Sequence, residues 1–213
     1  MKTTPRTHWL ALGAALALSA APARAQVAAG LTDPNVAPKE VLVTLPHVSD
    51  ALADALVAAR PFPGALALDA FLEGEGLSSE QRAALYAQAF VHVDLNRASS
   101  EEIQLIPGAG RRMAHEFDEY RPWKSWAQFD REIGKYVDDA EVARLESYCF
   151  IPMDLNTASE AEFMTIPGVG KRMAHEFEEY RPWKTQAQFE KEIGKYVDEK
   201  EVARLWRYFV IGE

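Results

Sequence analysis

The chain is poor in cysteine, in basic residues and in long apolar runs. Cys149 is the only cysteine, so no disulfide can form within one chain. Its thiol is either buried as a small apolar group or paired with a second chain. No disulfide framework can therefore account for the stability of this protein.

Only the first 25 residues contain a run that is apolar enough to suggest a membrane. Lys2 and Arg6 precede a mostly apolar stretch from His8 to Ala20, and Ala23-Arg24-Ala25 follows as a small-x-small site. This order predicts a signal peptide over 1–25, cleaved after Ala25, and a periplasmic or secreted protein. An N-terminal membrane anchor is the alternative, although the run is short for a spanning helix.

Basic residues are outnumbered throughout the remaining chain. The whole sequence carries 23 lysines and arginines against 32 acids, and removal of the leader would leave a net charge of −12. No segment of the mature chain is basic. This balance counts against indiscriminate nucleic-acid binding, which usually relies on a basic domain.

One long segment occurs twice. Residues 94–151 align with 154–211 without a gap, and 39 of the 58 positions are identical. The centre of the repeat is Ile106-Pro107-Gly108-Ala109-Gly110-Arg111-Arg112-Met113-Ala114, which returns 60 residues later. Identity at this level indicates a duplication.

A weaker third copy precedes these two. Asp33-Pro34-Asn35 corresponds to Asp94-Leu95-Asn96, and Arg60-Pro61-Phe62 corresponds to Arg121-Pro122-Trp123. Its turn has His47 and Ser49 in place of the two glycines. The predicted organisation is therefore a degenerate repeat over 26–91 and two clear repeats over 92–151 and 152–213. A linker with unrelated helices over 26–91 is the alternative.

Each repeat shows helix signals and no strand signals. Ser99 with Glu102, and Ser159 with Glu162, have capping-box spacing. A third helix is expected over about 127–133, and Asp138 can cap a fourth. The sequence therefore predicts an all-α fold whose neighbouring repeats pack as a rigid array.

The glycine turns have a chemical as well as a structural interpretation. Two glycines allow positive φ and close backbone approach, and the helix that follows has free N–H groups that attract anions. Arg111 and Arg112, or Lys171 and Arg172, oppose the helix dipole in that first turn. Because helix stability does not favour these cations, the pattern suggests a phosphate partner.

The motif Asp-Leu-Asn-x-Ala-Ser followed by Ile-Pro-Gly-x-Gly-x-x-x-Ala resembles the helix-hairpin-helix module of ComEA-type competence DNA-binding proteins. It is also similar to the helix-hairpin-helix extrinsic subunit of photosystem II. The first resemblance implies contact with duplex DNA phosphates without sequence specificity. The implied DNA-binding residues are Gly108, Ala109, Gly110, Arg111 and Arg112, with Gly168, Val169, Gly170, Lys171 and Arg172.

The chain departs from this family pattern at the second hairpin of each repeat. That position has Lys135-Tyr136-Val137 or Lys195-Tyr196-Val197, without a glycine pair. Two functions stay open. The protein is an exported DNA-binding protein that serves DNA uptake, or it is an envelope protein-interaction module that has lost DNA binding.

Other candidate sites are weaker. His115 and His175 have no second ligand at metal spacing, so no metal or cofactor is predicted. No set of nucleophile, base and orienting group indicates an enzyme. Trp123 is interpreted as a core residue. Trp126 and Trp206 each occur in one copy only and are candidates for a partner surface.

Overall fold

The computed structural model describes Val27 and residues 30–212. The predicted signal peptide, residues 1–25, lies outside the described residues. The described part contains twelve helices and four strands of two residues each. The prediction of an all-α fold is confirmed at this level.

The helices form three units of four. Unit 1, residues 30–91, contains α1 (Lys39–Leu42), α2 (Asp50–Ala59), α3 (Ala65–Gly74) and α4 (Ser79–Tyr86). Unit 2, residues 92–151, contains α5 (Ser100–Gln104), α6 (Arg111–Glu119), α7 (Trp126–Ile133) and α8 (Asp139–Glu146). Unit 3, residues 152–212, contains α9 (Glu160–Phe163), α10 (Lys171–Glu179), α11 (Gln186–Ile193) and α12 (Glu199–Trp206). The helix expected over 127–133 begins one residue earlier.

Short strands close units 2 and 3, and the sequence did not predict them. In unit 2, β1 (Val93–Asp94) pairs in parallel with β2 (Cys149–Phe150). In unit 3, β3 (Met153–Asp154) pairs in the same way with β4 (Phe209–Val210). A parallel bridge between Thr32 and Ala89 takes this place in unit 1. These pairs are too short to show the alternating pattern by which strands are recognised in a sequence.

A reciprocal pair of hydrogen bonds joins the beginning of each unit to an aromatic residue shortly after its second helix. In unit 2 the Asn96 side chain donates to the Trp123 carbonyl at 2.9 Å and accepts from the Trp123 N–H at 2.7 Å. Asn35 with Phe62, and Asn156 with Trp183, make the same pair of bonds. Unit 1 therefore shares the local architecture of the other two units.

Further hydrogen bonds in this region explain why arginine and tryptophan flank the proline of the Arg-Pro-Trp sequence. The Arg121 guanidinium donates to the carbonyls of Leu95 and Ala98 at 2.6 and 2.7 Å. Trp123 is buried, and its indole N–H donates to the Phe117 carbonyl at 2.8 Å. The interpretation of Trp123 as a core residue is confirmed, because both its ring and its polar atoms are used inside the fold.

The cap residues follow the prediction with one exception. Ser159 and Glu162 form a complete capping box, and the Asp138 side chain caps α8. Ser99 caps α5, but the Glu102 carboxylate accepts from the Ala65 N–H at 2.9 Å instead of closing the box. Glu102 therefore caps α3, which begins at a glycine without a capping side chain, and joins unit 2 to unit 1.

The apolar core continues between units. One cluster of buried side chains runs through units 1 and 2, and a second fills unit 3 and includes Val27 and Phe150. Cys149 is fully buried, as the sequence allowed, and burial raises the pKa of its thiol. Within the described residues, no helix is both long and apolar enough to span a bilayer.

Candidate nucleic-acid interface

The glycine turn has the same backbone geometry in all three units. Gly108 and Gly168 have φ of +82°, and His47 takes the same position in unit 1 with φ of +62°. Positive φ favours glycine, although histidine tolerates it better than most residues. The turn is therefore retained in unit 1 after its glycines are lost.

The second glycine of each turn is not required by its backbone angles. Gly110 and Gly170 have φ of −73° and −100°, and a Cβ atom added at either position would meet no atom within 4 Å. Both glycines are exposed. At both glycines the space in front of the helix is open, so another molecule can approach the backbone.

These two glycines begin α6 and α10, and neither helix has a side-chain cap. The first N–H groups of a helix have no acceptor within the helix. Elsewhere in units 2 and 3, the described helices begin at serine, threonine or aspartate, whose side chains accept from the first turn. Only the two turn helices of these units therefore present an uncapped N-terminus.

Unit 1 shows the opposite arrangement on the same scaffold. The Ser49 side chain accepts from the Leu52 N–H at 3.1 Å, and Asp50 lies in the first turn of α2. A serine cap and an acid are what an isolated helix prefers at its N-terminus. The turn of unit 1 is therefore satisfied internally, and its acid pairs with Lys39 at 3.0 Å.

The middle residue of each turn faces the core. Ala109 and Val169 are buried, and their N–H groups donate to the carbonyls of Ile106 and Ile166 at 2.9 and 3.0 Å. The Gly110 N–H is also used, donating to the Gly108 carbonyl at 3.1 Å. The donors left for a ligand are therefore the N–H groups of the first turn of each helix, not those of Ala109 and Val169.

The four cations of the two first turns are exposed. In the part of the chain that the structure describes, Arg111, Arg112, Lys171 and Arg172 make no ion pair. Arg112 lies over the Tyr136 ring, with its guanidinium carbon 5.6 Å from the centroid. These charges remain free to meet an anion.

Glu116 and Glu176 lie one turn after Arg112 and Arg172, and the remaining acids of these helices lie at the other end. Asp118 pairs with Arg121 at 2.8 Å, and Glu119 pairs with His115 at 3.2 Å. Residues 111 and 118 are separated by about 10 Å along a helix axis. This equals roughly one Debye length at 0.1 M salt, so repulsion from these acids at the N-terminus is partly screened there and grows as the salt falls.

The second turn of each unit lies against the candidate helix, which the sequence did not indicate. The hydroxyls of Tyr136 and Tyr120 are 3.0 Å apart, and those of Tyr196 and Tyr180 are also 3.0 Å apart. The bond to Tyr120 and the nearby Glu116 carboxylate raise the pKa of Tyr136. Gly170, Arg172, Met173, Glu176 and Tyr196 line a cleft of 240 Å³ beside the unit 3 turn.

The two glycine turns differ in their surroundings. Val36 of unit 1 packs on Gly168, and its Cγ1 lies 2.8 Å from the position of an added Cβ. The nearest neighbour of an added Cβ at Gly108 is Arg144 of the same unit, at 3.1 Å. Unit 1 therefore contacts the turn of unit 3, so the three units do not simply follow one another in a row.

The remaining candidate residues, two tryptophans and two histidines, lie in different environments. Trp126 is 4 % exposed and packs on Phe129, so its assignment to a partner surface is wrong, because α7 turns it into the core. Trp206 is partly exposed and borders a cleft of 610 Å³ between α11 and α12. His115 and His175 are exposed beside glutamates. No group of three or more potential metal ligands occurs among the described residues.

Comparison of the chain with protein-family models, curated proteins and solved structures finds no match in any of the three. The likeness to helix-hairpin-helix proteins thus stays a prediction from the repeated turn motif.

Proposed function

We propose that this protein binds the phosphates of duplex DNA, without reading the base sequence, at the N-termini of α6 and α10. The proposal includes export, as the leader sequence predicts, and a role in DNA uptake, as the motif resemblance implies. It uses no metal, cofactor or catalytic group. The proposed contacts come from the first helical turns, with Arg111 and Arg112 in unit 2 and Lys171 and Arg172 in unit 3, approached across the open space at Gly110 and Gly170.

The proposal rests on a difference between the N-termini of α6 and α10 and the N-terminus of α2. Two of the three have an uncapped glycine followed by exposed cations, while α2 has a serine cap followed by Asp50. An uncapped, basic N-terminus is unfavourable for an isolated helix and favourable for phosphate binding. A bound phosphate would supply the acceptors that these N–H groups lack.

The magnitudes predict moderate, salt-sensitive binding. A hydrogen bond to a charged group contributes about 1.5–3 kcal/mol, and two sites on one duplex would gain from effective concentration. Four cations near phosphates would give a slope of log K against log salt of about −2 to −4. The negative charge of the whole chain weakens the encounter further as salt falls.

Fluorescence anisotropy with a labelled duplex at low salt tests the proposal. The sharpest variant transfers the unit 1 sequence to both sites, Gly110→Ser, Arg111→Asp and Arg112→Ala with Gly170→Ser, Lys171→Asp and Arg172→Ala. These residues fit the same turn in unit 1, so folding should be retained. We expect duplex binding to fall at least about 30-fold, since both sites lose their charge-assisted bonds.

A matched control separates local chemistry from total charge. Lys191→Asp with Lys200→Ala changes the charge as much as the transfer at one site does, but on α11 and α12 and not on the turn helices. This control should lower the affinity for duplex DNA much less than the transfer at a single site does. Equal losses in the two variants, or no binding by the unmodified protein at low salt, would refute the proposal.

The second candidate function is a protein-interaction module in the envelope. The cleft beside Trp206 favours it, because Ala187, Val197 and Val202 give it an apolar floor. Trp206→Glu would then abolish recovery of one defined partner from an envelope extract and leave duplex binding unchanged. If the Trp206→Glu variant recovers the partner as well as the unmodified protein does, the Trp206 cleft is not the binding site.

A further inference from the structure

A crevice beside the unit 2 turn has no part in the proposed DNA contact. It is an open crevice of 490 Å³, lined by Pro107, Gly108, Glu141, Arg144, Ser147 and Tyr148 of unit 2 and by Leu31 and Ala87 of unit 1. We call it the unit 2 crevice. Arg144 pairs with Glu141 at 2.7 Å, and its guanidinium carbon lies 5.5 Å from the centroid of the Tyr148 ring. The Arg144 side chain is 34 % exposed.

The corresponding residues of unit 3 are Pro167, Gly168, Glu201, Arg204, Arg207 and Tyr208. Here the Arg204 side chain is 1 % exposed, although it makes the same pair with Glu201 at 2.7 Å. Val36 of unit 1 packs on Gly168 at this surface, although Val36 itself stays 39 % exposed. Arg204 is thus covered in unit 3, whereas Arg144 stays partly accessible in unit 2.

The segment that packs on unit 3 at this surface is the turn Asp33–Val36. One Asp33 oxygen accepts from the Asn35 N–H at 2.7 Å, which fixes the turn. The other lies 3.9 Å from the His92 ring nitrogen, and the Asp33 charge acts on Arg204 and Tyr208. This turn therefore places Val36 against Gly168, with the buried Asp33 carboxylate close enough to act on Arg204 through its charge.

The described residues contain three such turns, and among them the third has its branched side chain free of another unit. Val36 is already seated on unit 3. Arg97 of the second turn is unbranched and donates to the carbonyls of Arg207 and Phe209 at 3.3 and 3.2 Å. Thr157 of the third turn is exposed and has the shape of valine. Asp154 accepts from the Asn156 N–H at 2.9 Å, as Asp33 does from Asn35.

We propose that the unit 2 crevice binds the Asp154–Thr157 turn of a second copy of this chain. The crevice and the turn are different surfaces, so the contact is heterologous and joins molecules head to tail. Thr157 would lie against Gly108 as Val36 lies against Gly168, and the Asp154 carboxylate would face Arg144, which borders Gly108. The uncapped end of α6 takes no part in this contact.

Sedimentation velocity over a concentration series of the mature protein tests this contact. We expect concentration-dependent association of the unmodified protein. Arg144→Glu, which repels the carboxylate, and Thr157→Arg, which removes the branched side chain, should each weaken it at least tenfold. Thr157→Arg places in unit 3 the residue that unit 2 carries at Arg97, so the turn should keep its fold. Thr157→Val, the unit 1 residue, should strengthen association.

Mixing the two weakened variants gives the decisive result. The Arg144→Glu protein retains an intact turn, and the Thr157→Arg protein retains an intact crevice. A head-to-tail contact therefore predicts that the mixture forms a 1:1 dimer that does not grow further. An unmodified protein that stays monomeric at all concentrations, or a mixture that associates no better than its components, overturns the proposal.

Discussion

Units 2 and 3 are identical at 39 of 58 aligned positions, yet they occupy different environments. Their turns, caps and Asn–Trp bonds agree closely, as the matching distances show. Their differences occur where another unit touches them. Arg204 is covered by unit 1 while Arg144 is partly exposed, and Glu102 caps a helix of unit 1 while Glu162 caps its own.

This comparison separates what a repeat encodes locally from what it acquires from its neighbours. Turn geometry and helix ends depend on residues a few positions apart, so they recur with the sequence. Burial of one crevice and exposure of the other depend on the arrangement of the three units. Substitutions at equivalent positions should therefore have equal effects for local features and unequal effects for contacts between units.

The largest inequality is expected at the paired arginines. Arg204→Ala should lower the free energy of unfolding by about 3 kcal/mol, because it removes a buried guanidinium that pairs with Glu201 at 2.7 Å and donates to the Pro167 carbonyl at 2.9 Å. Arg144→Ala removes a partly exposed ion pair and should lower the free energy of unfolding by less than about 1 kcal/mol. Urea unfolding of both variants measures the difference. Equal losses would show that unit 1 does not cover unit 3 in solution.

The tyrosines of the two crevices should differ in their response to alkaline pH. Burial raises the pKa of Tyr208 to about 12, above its ordinary value near 10. Below pH 10 the hydroxyl is neutral in both states and contributes no pH dependence. Between pH 10 and 12 it ionises only when unfolded, so stability should fall by up to about 2–3 kcal/mol.

Tyr208→Phe should remove this part of the alkaline loss, whereas Tyr148→Phe should alter the profile less, since Tyr148 borders the open crevice. Burial raises the pKa of Tyr148 as well. Chemical unfolding of the three proteins at pH 9, 10.5 and 11.5 measures the slopes. Parallel slopes for the unmodified protein and the Tyr208→Phe variant would contradict burial of this hydroxyl.

The sequence could predict the features of this structure that depend on residues close together in the chain. Helix ends were recognisable because serine and aspartate caps have fixed spacing, and the Pro-Gly turn was recognisable from its glycines. It could not predict that Trp126 is buried while Trp206 is partly exposed, since both replace polar residues of the other repeat. It also could not place Val36 on Gly168, because that contact joins residues 132 positions apart.

The candidate site was predicted at the level of residues and not of atoms. Arg111 and Lys171 were correctly expected to begin helices, and the structure leaves both exposed. The inward direction of the Ala109 and Val169 amides depends on the turn that the two glycines allow. The position of Tyr136 beside Arg112 depends on packing between turns that are distant in the sequence.

A smaller inequality is expected at the paired glutamates. Glu102→Ala removes the acceptor of the Ala65 N–H and should cost about 1 kcal/mol, a typical loss for a helix cap. Glu162→Ala removes an exposed capping-box partner and should cost only a few tenths of a kcal/mol, since Ser159 still caps α9. Thermal unfolding can resolve the two. A larger loss from Glu162→Ala would place the important contact within unit 3.

The smallest effects, and the only equal ones, are expected at the two uncapped glycines. Gly110→Ser and Gly170→Ser each supply the side-chain acceptor that Ser49 supplies in unit 1, and space for it is open at both positions. Each should raise the free energy of unfolding by a few tenths of a kcal/mol. Each should also weaken duplex binding, because the new hydroxyl occupies an N–H group that a phosphate would use. Denaturant midpoints and anisotropy titrations on the same preparations measure both quantities. A gain in stability without a loss of binding would mean that these helix ends are uncapped for another reason than DNA.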